Sequence, residues 1–403
     1  MTAFDPSSLL VPRTHAADEG PIIRMAQKAR ELRAIGMDVI SLTVGEPDFD
    51  TPENIQEAAT AAMKAGFTHY APVLGIPELR AALSKKLKAE NGLDYGANEI
   101  CVANGAKQAI ANAVLSIVDV GDEVIMLAPF WVSYEITVRF AGGIPVVLHA
   151  GVEESYKVPA SRIAAAVTPR TKLLILNSPS NPTGAVWTKP ELEAIAAIVK
   201  AHPRMMVLSD EIYEYILFGG EMVSIGSLPG MRERAITING FSKGFAMTGW
   251  RLGYAAAVEP IAKAMGRMQG TLSAGANQFV QRAAIAALEG PRDQVEAMRR
   301  KYQVRRDMVL QGLRTIPGVR IGDIPATFYA FPDVSALLGK KAGNHVIDST
   351  DRLCDWLLDT HGVATVPGGA FGAPGSIRLS FAASEAELEK ALSRMHKALG
   401  SLS

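Results

Sequence analysis

Seven short apolar runs constrain this chain more than any other feature. Ile100–Ala103, Val124–Leu127, Val146–Leu148, Leu173–Leu176, Met206–Ser209, Ala235–Asn239 and Leu252–Ala257 are almost continuously hydrophobic. A strand with one wet face would alternate apolar and polar residues, so these runs suit strands covered on both faces. Helical patterns lie between most of them. One, Lys189–Lys200, opens with Thr188 and Glu191 in the spacing of a capping box. Alternating strand and helix predict an α/β fold whose mainly parallel sheet is sandwiched by helices in a large domain. After about residue 300 the pattern changes. A charged helix over Arg292–Arg314 precedes short strand candidates at Phe328–Phe331, Val363–Val366 and Ile377–Phe381, and Ser384 with Glu387 opens the last helix. The expected division is a large α/β domain over residues 46–300 and a smaller α+β domain built from 1–45 and 301–403.

Charge and cysteine usage narrow the function. Lysine plus arginine and aspartate plus glutamate each number 41, so no net field gathers nucleic acid or an anionic membrane, and any anion must be caught by a local site. Cys101 and Cys354 sit in apolar contexts without metal-type spacing, and the seven histidines show no ligand-type pairing. Neither a disulfide framework nor a metal site is expected. Leu9-Leu10-Val11 is cut short by Pro12 and Arg13, and no stretch approaches the length of a membrane span. The expectation is a soluble cytoplasmic protein with no nucleic-acid or membrane partner.

Ligands collect where the strands of such a sheet end, and here those loops carry unusual polar cargo. Lys243 lies between Gly240 and Gly244 just after a strand, placed to act as a nucleophilic amine. Ser242 and Arg251 beside it could grip a phosphate. Asp210 ends another strand with Tyr213 three residues on. Asn177–Gly184 is a turn-rich loop containing Asn181-Pro182, a candidate cis bond. Asn104-Gly105-Ala106-Lys107-Gln108 opens an apolar helix, whose first N–H groups make a phosphate seat. Trp131 follows a fourth strand, and Arg378 stands inside the apolar run Ile377–Phe381, where a half-buried guanidinium asks for an anion. Singly, each has an ordinary structural explanation: a solvated lysine on a turn, a core aromatic, a buried ion pair.

Together and in order they are specific. The string from Ser242 to Arg251 resembles the Ser-Lys-x-x-x-x-x-Gly-x-Arg signature of class I and II aminotransferases. Asn181-Pro-Thr-Gly184, Ile377-Arg-Leu-Ser380, and Gly45-Glu-Pro-Asp-Phe49 resemble that family's other motifs. The chain is therefore identified as resembling a class I pyridoxal-phosphate-dependent aminotransferase of fold type I, closest to bacterial aspartate aminotransferases with Gly-x-Lys-Gln after the phosphate cup. The resemblance implies pyridoxal 5'-phosphate held by Gly105, Ala106, Lys107, Trp131, Asn181, Asp210, Tyr213, Ser242 and Arg251, and bonded covalently to Lys243 as the catalytic residue. Asp210 would pair with the ring nitrogen, Asn181 and Tyr213 with the phenolic oxygen, and Trp131 would stack on the ring. It further implies substrate contacts from Gly45, Trp131, Asn181 and Arg378, with Arg378 on the α-carboxylate, and a homodimer in which Tyr70 reaches the neighbouring subunit's phosphate.

The implied reaction is transamination between an L-amino acid, aspartate or glutamate, and a 2-oxo acid such as 2-oxoglutarate or oxaloacetate. Lys107 is the candidate for a distal carboxylate. The subgroup's arm carries Pro-Ser-x-Thr for the same purpose; this chain has Glu19-Gly20-Pro21-Ile22 instead, with Arg24 as a possible substitute. That departure leaves open alanine, aromatic or prephenate-type substrates, or a C–S β-lyase on the same scaffold.

Overall fold

The computed structural model describes residues 5–11, 14 and 20–403; Glu19 of the arm lies outside them. The seven apolar runs form one seven-stranded sheet: β2 (Ile100–Ala103), β3 (Glu123–Ala128), β4 (Ile144–His149), β5 (Thr171–Asn177), β6 (Met206–Asp210), β7 (Ala235–Gly240) and β8 (Gly253–Ala256). The short β1 (Ile40–Ser41) belongs elsewhere. The spatial order is β2-β8-β7-β6-β5-β3-β4. Only β8 runs against its neighbours β2 and β7, so β2, β3, β5, β6 and β7 all end at the same edge.

Alternate residues of the central strands serve opposite cores. Val124, Met126, Leu173, Ile175 and Leu208 join one buried cluster, while Ile125, Leu174, Leu176 and Val207 join another. Two-sided burial is what their unbroken hydrophobicity requires. β4 departs from that expectation. It is the sheet's last strand, and none of its residues is fully buried, because it has a neighbour on one side only. Thr188 caps its helix as the sequence indicates, with the Glu191 side chain returning to the Thr188 N–H at 2.7 Å.

The C-terminal third forms small sheets. β9 (Tyr329–Ala330), β14 (Ile377–Ser380) and β13 (Val366–Pro367) pair antiparallel, and β10 (Lys341–Ala342) with β11 (His345–Val346) makes a hairpin. The run Val363–Val366, expected as one strand, is two. β12 (Val363–Ala364) pairs in parallel with β1, and the chain then switches sheet at Thr365. Met25, Ala29, Ile40 and Leu42 share a core with Leu357, Val363, Phe381 and Leu388, so the N-terminal segment packs on the C-terminal third. No helix among the described residues is long and apolar enough to cross a membrane.

One close approach ties the sheet to its ligand edge. Gly253 begins β8 directly under the Gly105–Ala106 turn, where a methyl group would stand 2.7 Å from the Gly105 carbonyl carbon. That is backbone, which yields less readily than a side chain. Gly253→Ala is therefore expected to destabilise the fold by about 1–3 kcal/mol, the usual range for overpacking. Denaturant unfolding checks this, with a change below about 0.5 kcal/mol counting against so tight an approach.

Candidate active site

A cavity of about 280 Å³ opens at the edge where the parallel strands end. Each strand delivers part of its wall. Ala106 and Lys107 come from the turn after β2, Trp131 and Tyr134 from beyond β3, and Asn177 and Asn181 from the end of β5. Asp210 and Tyr213 follow β6; Ser242, Lys243, Thr248 and Arg251 follow β7. Tyr329 on β9 and Arg378 on β14 close the far side, with Gly45 and Ile22 from the N-terminal segment. The segment carrying Gly45 is fixed by Asp48, whose two carboxylate oxygens each accept from buried Arg305 at 2.8 Å.

Desolvation dominates the electrostatics. Lys243 donates from Nζ to the Gly45 carbonyl at 2.6 Å. Burial is the main cause that lowers its pKa to about 8; Arg378 and Arg251 push the same way, while Glu46 and Asp210 oppose them. Water in the cavity still reaches part of the side chain. Asp210 is pushed up to about 6 by burial, although the Tyr134 hydroxyl, donating to its Oδ2 at 2.6 Å, works to keep it ionised.

Arg378 is 1% exposed, and no carboxylate among the described residues pairs with it. Nη1 donates to Asn181 Oδ1 at 3.0 Å and Nη2 to the Thr43 carbonyl at 2.7 Å, while Nε has no partner. Its guanidinium lies over Tyr329 and Phe371, 4.6 and 4.9 Å from the ring centroids. A buried cation so placed is incomplete without an anion.

The turn after β2 shows a second anion cradle. Gly105 has φ +84°, and a Cβ there would press on the Arg251 guanidinium. The helix Ala106–Ile117 that follows has no side-chain cap, leaving its first N–H groups to a ligand. Arg251 itself has φ +55°, and among the described residues it donates to the carbonyls of Thr248 (2.9 Å) and Asn104 (3.4 Å). Lys107 stands 4.9 Å from the Trp131 ring centroid, its pKa lowered by burial and then by Arg251.

Comparison with known proteins decides the family. The model of aminotransferase class I and II matches residues 37–395. A bifunctional aspartate aminotransferase and glutamate/aspartate-prephenate aminotransferase of Petunia hybrida is 44% identical over 97% of this chain and 82% of its own. The aspartate/prephenate aminotransferase of Thermus thermophilus is also 44% identical, over 96% and 98%. The crystal structure of the aspartate aminotransferase from Rhizobium meliloti superposes with a TM-score of 0.95 at 38% identity, covering 99% of this chain and 100% of that one. The chain belongs to the class I and II aminotransferase family.

In this aminotransferase the structure gathers almost every residue the sequence singled out. Gly45, Ala106, Lys107, Trp131, Asn181, Asp210, Tyr213, Ser242, Lys243, Arg251 and Arg378 line one cavity, and Gly105 stands directly behind Arg251. Asn181-Pro182 is cis; Ala128-Pro129 and Ser178-Pro179 are cis as well and were not foreseen. Tyr70 is not brought to this cavity. It is 90% exposed and borders a separate surface cleft. Arg24 is a correction: it pairs with Asp355 at 3.2 Å and Asp351 at 3.4 Å on the surface and takes no part in the cavity wall. Those aspartates lie on the helix Thr350–His361.

Six wall residues escaped sequence reasoning as participants: Ile22, Tyr134, Asn177, Ile212, Thr248 and Tyr329. Tyr134, Asn177, Ile212 and Thr248 were legible in principle, since each lies within four residues of Trp131, Asn181, Tyr213 or Arg251. The other two depend on tertiary pairing.

The lowered lysine sets a pH window. In cofactor-free protein, arylation of Lys243 by fluorodinitrobenzene, followed by peptide mass, is expected to rise with a midpoint near pH 8. A midpoint above pH 10, that of an ordinary lysine, would show an amine that burial does not control.

Proposed function

We propose that this aminotransferase uses pyridoxal 5'-phosphate and transfers the amino group between aspartate or glutamate and a 2-oxo acid such as 2-oxoglutarate or oxaloacetate. One observation carries the reading: the Lys243 amine and the Arg378 guanidinium face one cavity, and neither has a carboxylate partner among the described residues. An amine that is neutral near pH 8 and a guanidinium awaiting a carboxylate suit an amino acid being handled at its α-carbon.

The residues fit the cofactor at each end. Ser242, Arg251 and the N–H groups of Ala106 and Lys107, beyond the Gly105 turn, would hold the phosphate. Asp210 would hold the ring nitrogen, Asn181 and Tyr213 the phenolic oxygen, and Trp131 would cover the ring face. When bound, the protonated ring supplies an electron sink for the pair left at the substrate α-carbon.

The chain's own groups do the rest. Arg378 would fork onto the α-carboxylate through its terminal nitrogens, with the Gly45 backbone on the same wall. Lys243 Nζ would take the proton from the α-carbon and return it. Asp210, kept ionised above pH 6 with help from Tyr134, would keep the ring nitrogen protonated. Lys107, beside Trp131 and with no acidic partner among the described residues, is the cation for a distal carboxylate.

A specific feature favours a second substrate. Ile22 puts an apolar side chain on the cavity wall where the subgroup's arm would offer hydroxyls. Relatives named aspartate/prephenate aminotransferase support a wall that tolerates a ring as well as a short acidic chain. We also read the enzyme as a homodimer with Tyr70 crossing to the partner's phosphate. In support, Tyr70 is exposed and its cleft includes Asn104, next to the Gly105 cup. The division into a large domain over 46–300 and a small one from 1–45 with 301–403 belongs to the same reading.

Lys107→Ala tests the substrate assignment. A charge-assisted hydrogen bond is worth about 1.5–3 kcal/mol, so KM for aspartate should rise roughly 10- to 100-fold while alanine turnover changes little. If aspartate loses no more than alanine, Lys107 is not the distal cation.

A further inference from the structure

Tyr329, like Asn181, links the Arg378 end of the proposed substrate site to the end where the phenolic oxygen would lie. Its hydroxyl and that of Tyr213 share a hydrogen bond of 2.8 Å. Its ring lies beneath the Arg378 guanidinium at 4.6 Å. Its hydroxyl also fills the space where a Cβ on Gly45 would go, and the Gly45 carbonyl accepts from Lys243.

We infer that Tyr329 is a positioning residue that fixes the direction of the Tyr213 hydroxyl, coupling the carboxylate-binding guanidinium to the hydrogen bond made at the cofactor's phenolic oxygen. The inference rests on the cofactor reading given above. Two hydroxyls in one hydrogen bond must divide the roles of donor and acceptor, and the more acidic one donates. Burial raises the pKa of both, but Arg378 offsets it first at Tyr329, whereas at Tyr213 the neighbouring Tyr329 adds to the rise. Either hydroxyl can donate; the guanidinium lying over the Tyr329 ring favours Tyr329 as the donor, which leaves the Tyr213 proton to point into the cavity. The other charged groups facing this pair are Lys243 and Asp210. An anion on Arg378 would weaken the pull on Tyr329 and so alter the bond that Tyr213 makes.

The test uses the cofactor-loaded enzyme and its visible absorption as a function of pH, with succinate as an unreactive dicarboxylate. Donation from Tyr213 to the ring oxygen favours loss of the proton on the Lys243 nitrogen, so weakening it moves the absorption midpoint upward. Tyr329→Phe keeps the ring under Arg378 and should bind succinate within about twofold of wild type, while the midpoint rises by about half a unit or more. Tyr213→Phe should raise it further, and Tyr213→Phe with Tyr329→Phe should match Tyr213→Phe alone, because the second hydroxyl acts only through the first. An unchanged midpoint in Tyr329→Phe, or additive shifts in the double variant, would overturn the inference while leaving the cofactor reading intact. Wild-type protein that takes up no pyridoxal phosphate would instead overturn both, and this is seen before any variant is made.

Discussion

A guanidinium that the fold buries but does not neutralise is the constraint around which the rest is arranged. Arg378 is nearly inaccessible, and its protein partners are an amide oxygen, a carbonyl and two aromatic faces. Leaving such a charge without a counter-ion costs several kcal/mol, which a protein sustains where a ligand will complete the site. The same economy recurs across the cavity. Among the described residues Arg251 donates to carbonyls, and Lys243 is held by one carbonyl with its pKa brought down toward neutrality. A wall lined with carboxylates would fold more easily and bind no anion.

The sheet makes this arrangement possible because it is mostly parallel. Five strands ending at one edge bring their loops to one place, and the antiparallel β8 puts Gly253 beneath the Gly105 turn that stands against Arg251. Groups far apart in sequence then lie in contact: Tyr134 with Asp210, Lys243 with Gly45, Arg378 with Asn181. Strand ends of the large sheet supply Lys243 and Asp210, and β14 of the C-terminal sheet supplies Arg378, so the three groups the proposed chemistry uses share one small volume on rigid supports.

Much of this was legible in the chain itself. Runs buried on both faces show as unbroken hydrophobicity, and motifs at strand ends carry their order with them, so the sheet and nearly all of the wall could be anticipated. The exceptions share a cause. β4 reads as buried because an edge strand of a covered sheet is still apolar in composition. Val363–Val366 reads as one strand because nothing local says that the chain changes sheet at Thr365. Tyr329 becomes a wall residue only through the pairing of Ser380 with Tyr329 between β14 and β9, and Ile22 only through the packing of its helix. Arg24 misled in the opposite sense: its charge suggested a ligand role, while its partners lie on a helix more than 300 residues further along.

The account turns on the amine of Lys243 being the group that holds pyridoxal phosphate. Borohydride reduction of the loaded protein, followed by peptide mapping, tests this most directly. A single phosphopyridoxyl mass on the peptide containing Lys243, absent from Lys243→Ala, is the predicted result. A colourless protein, or an adduct carried by Lys107 or any other lysine, would contradict it.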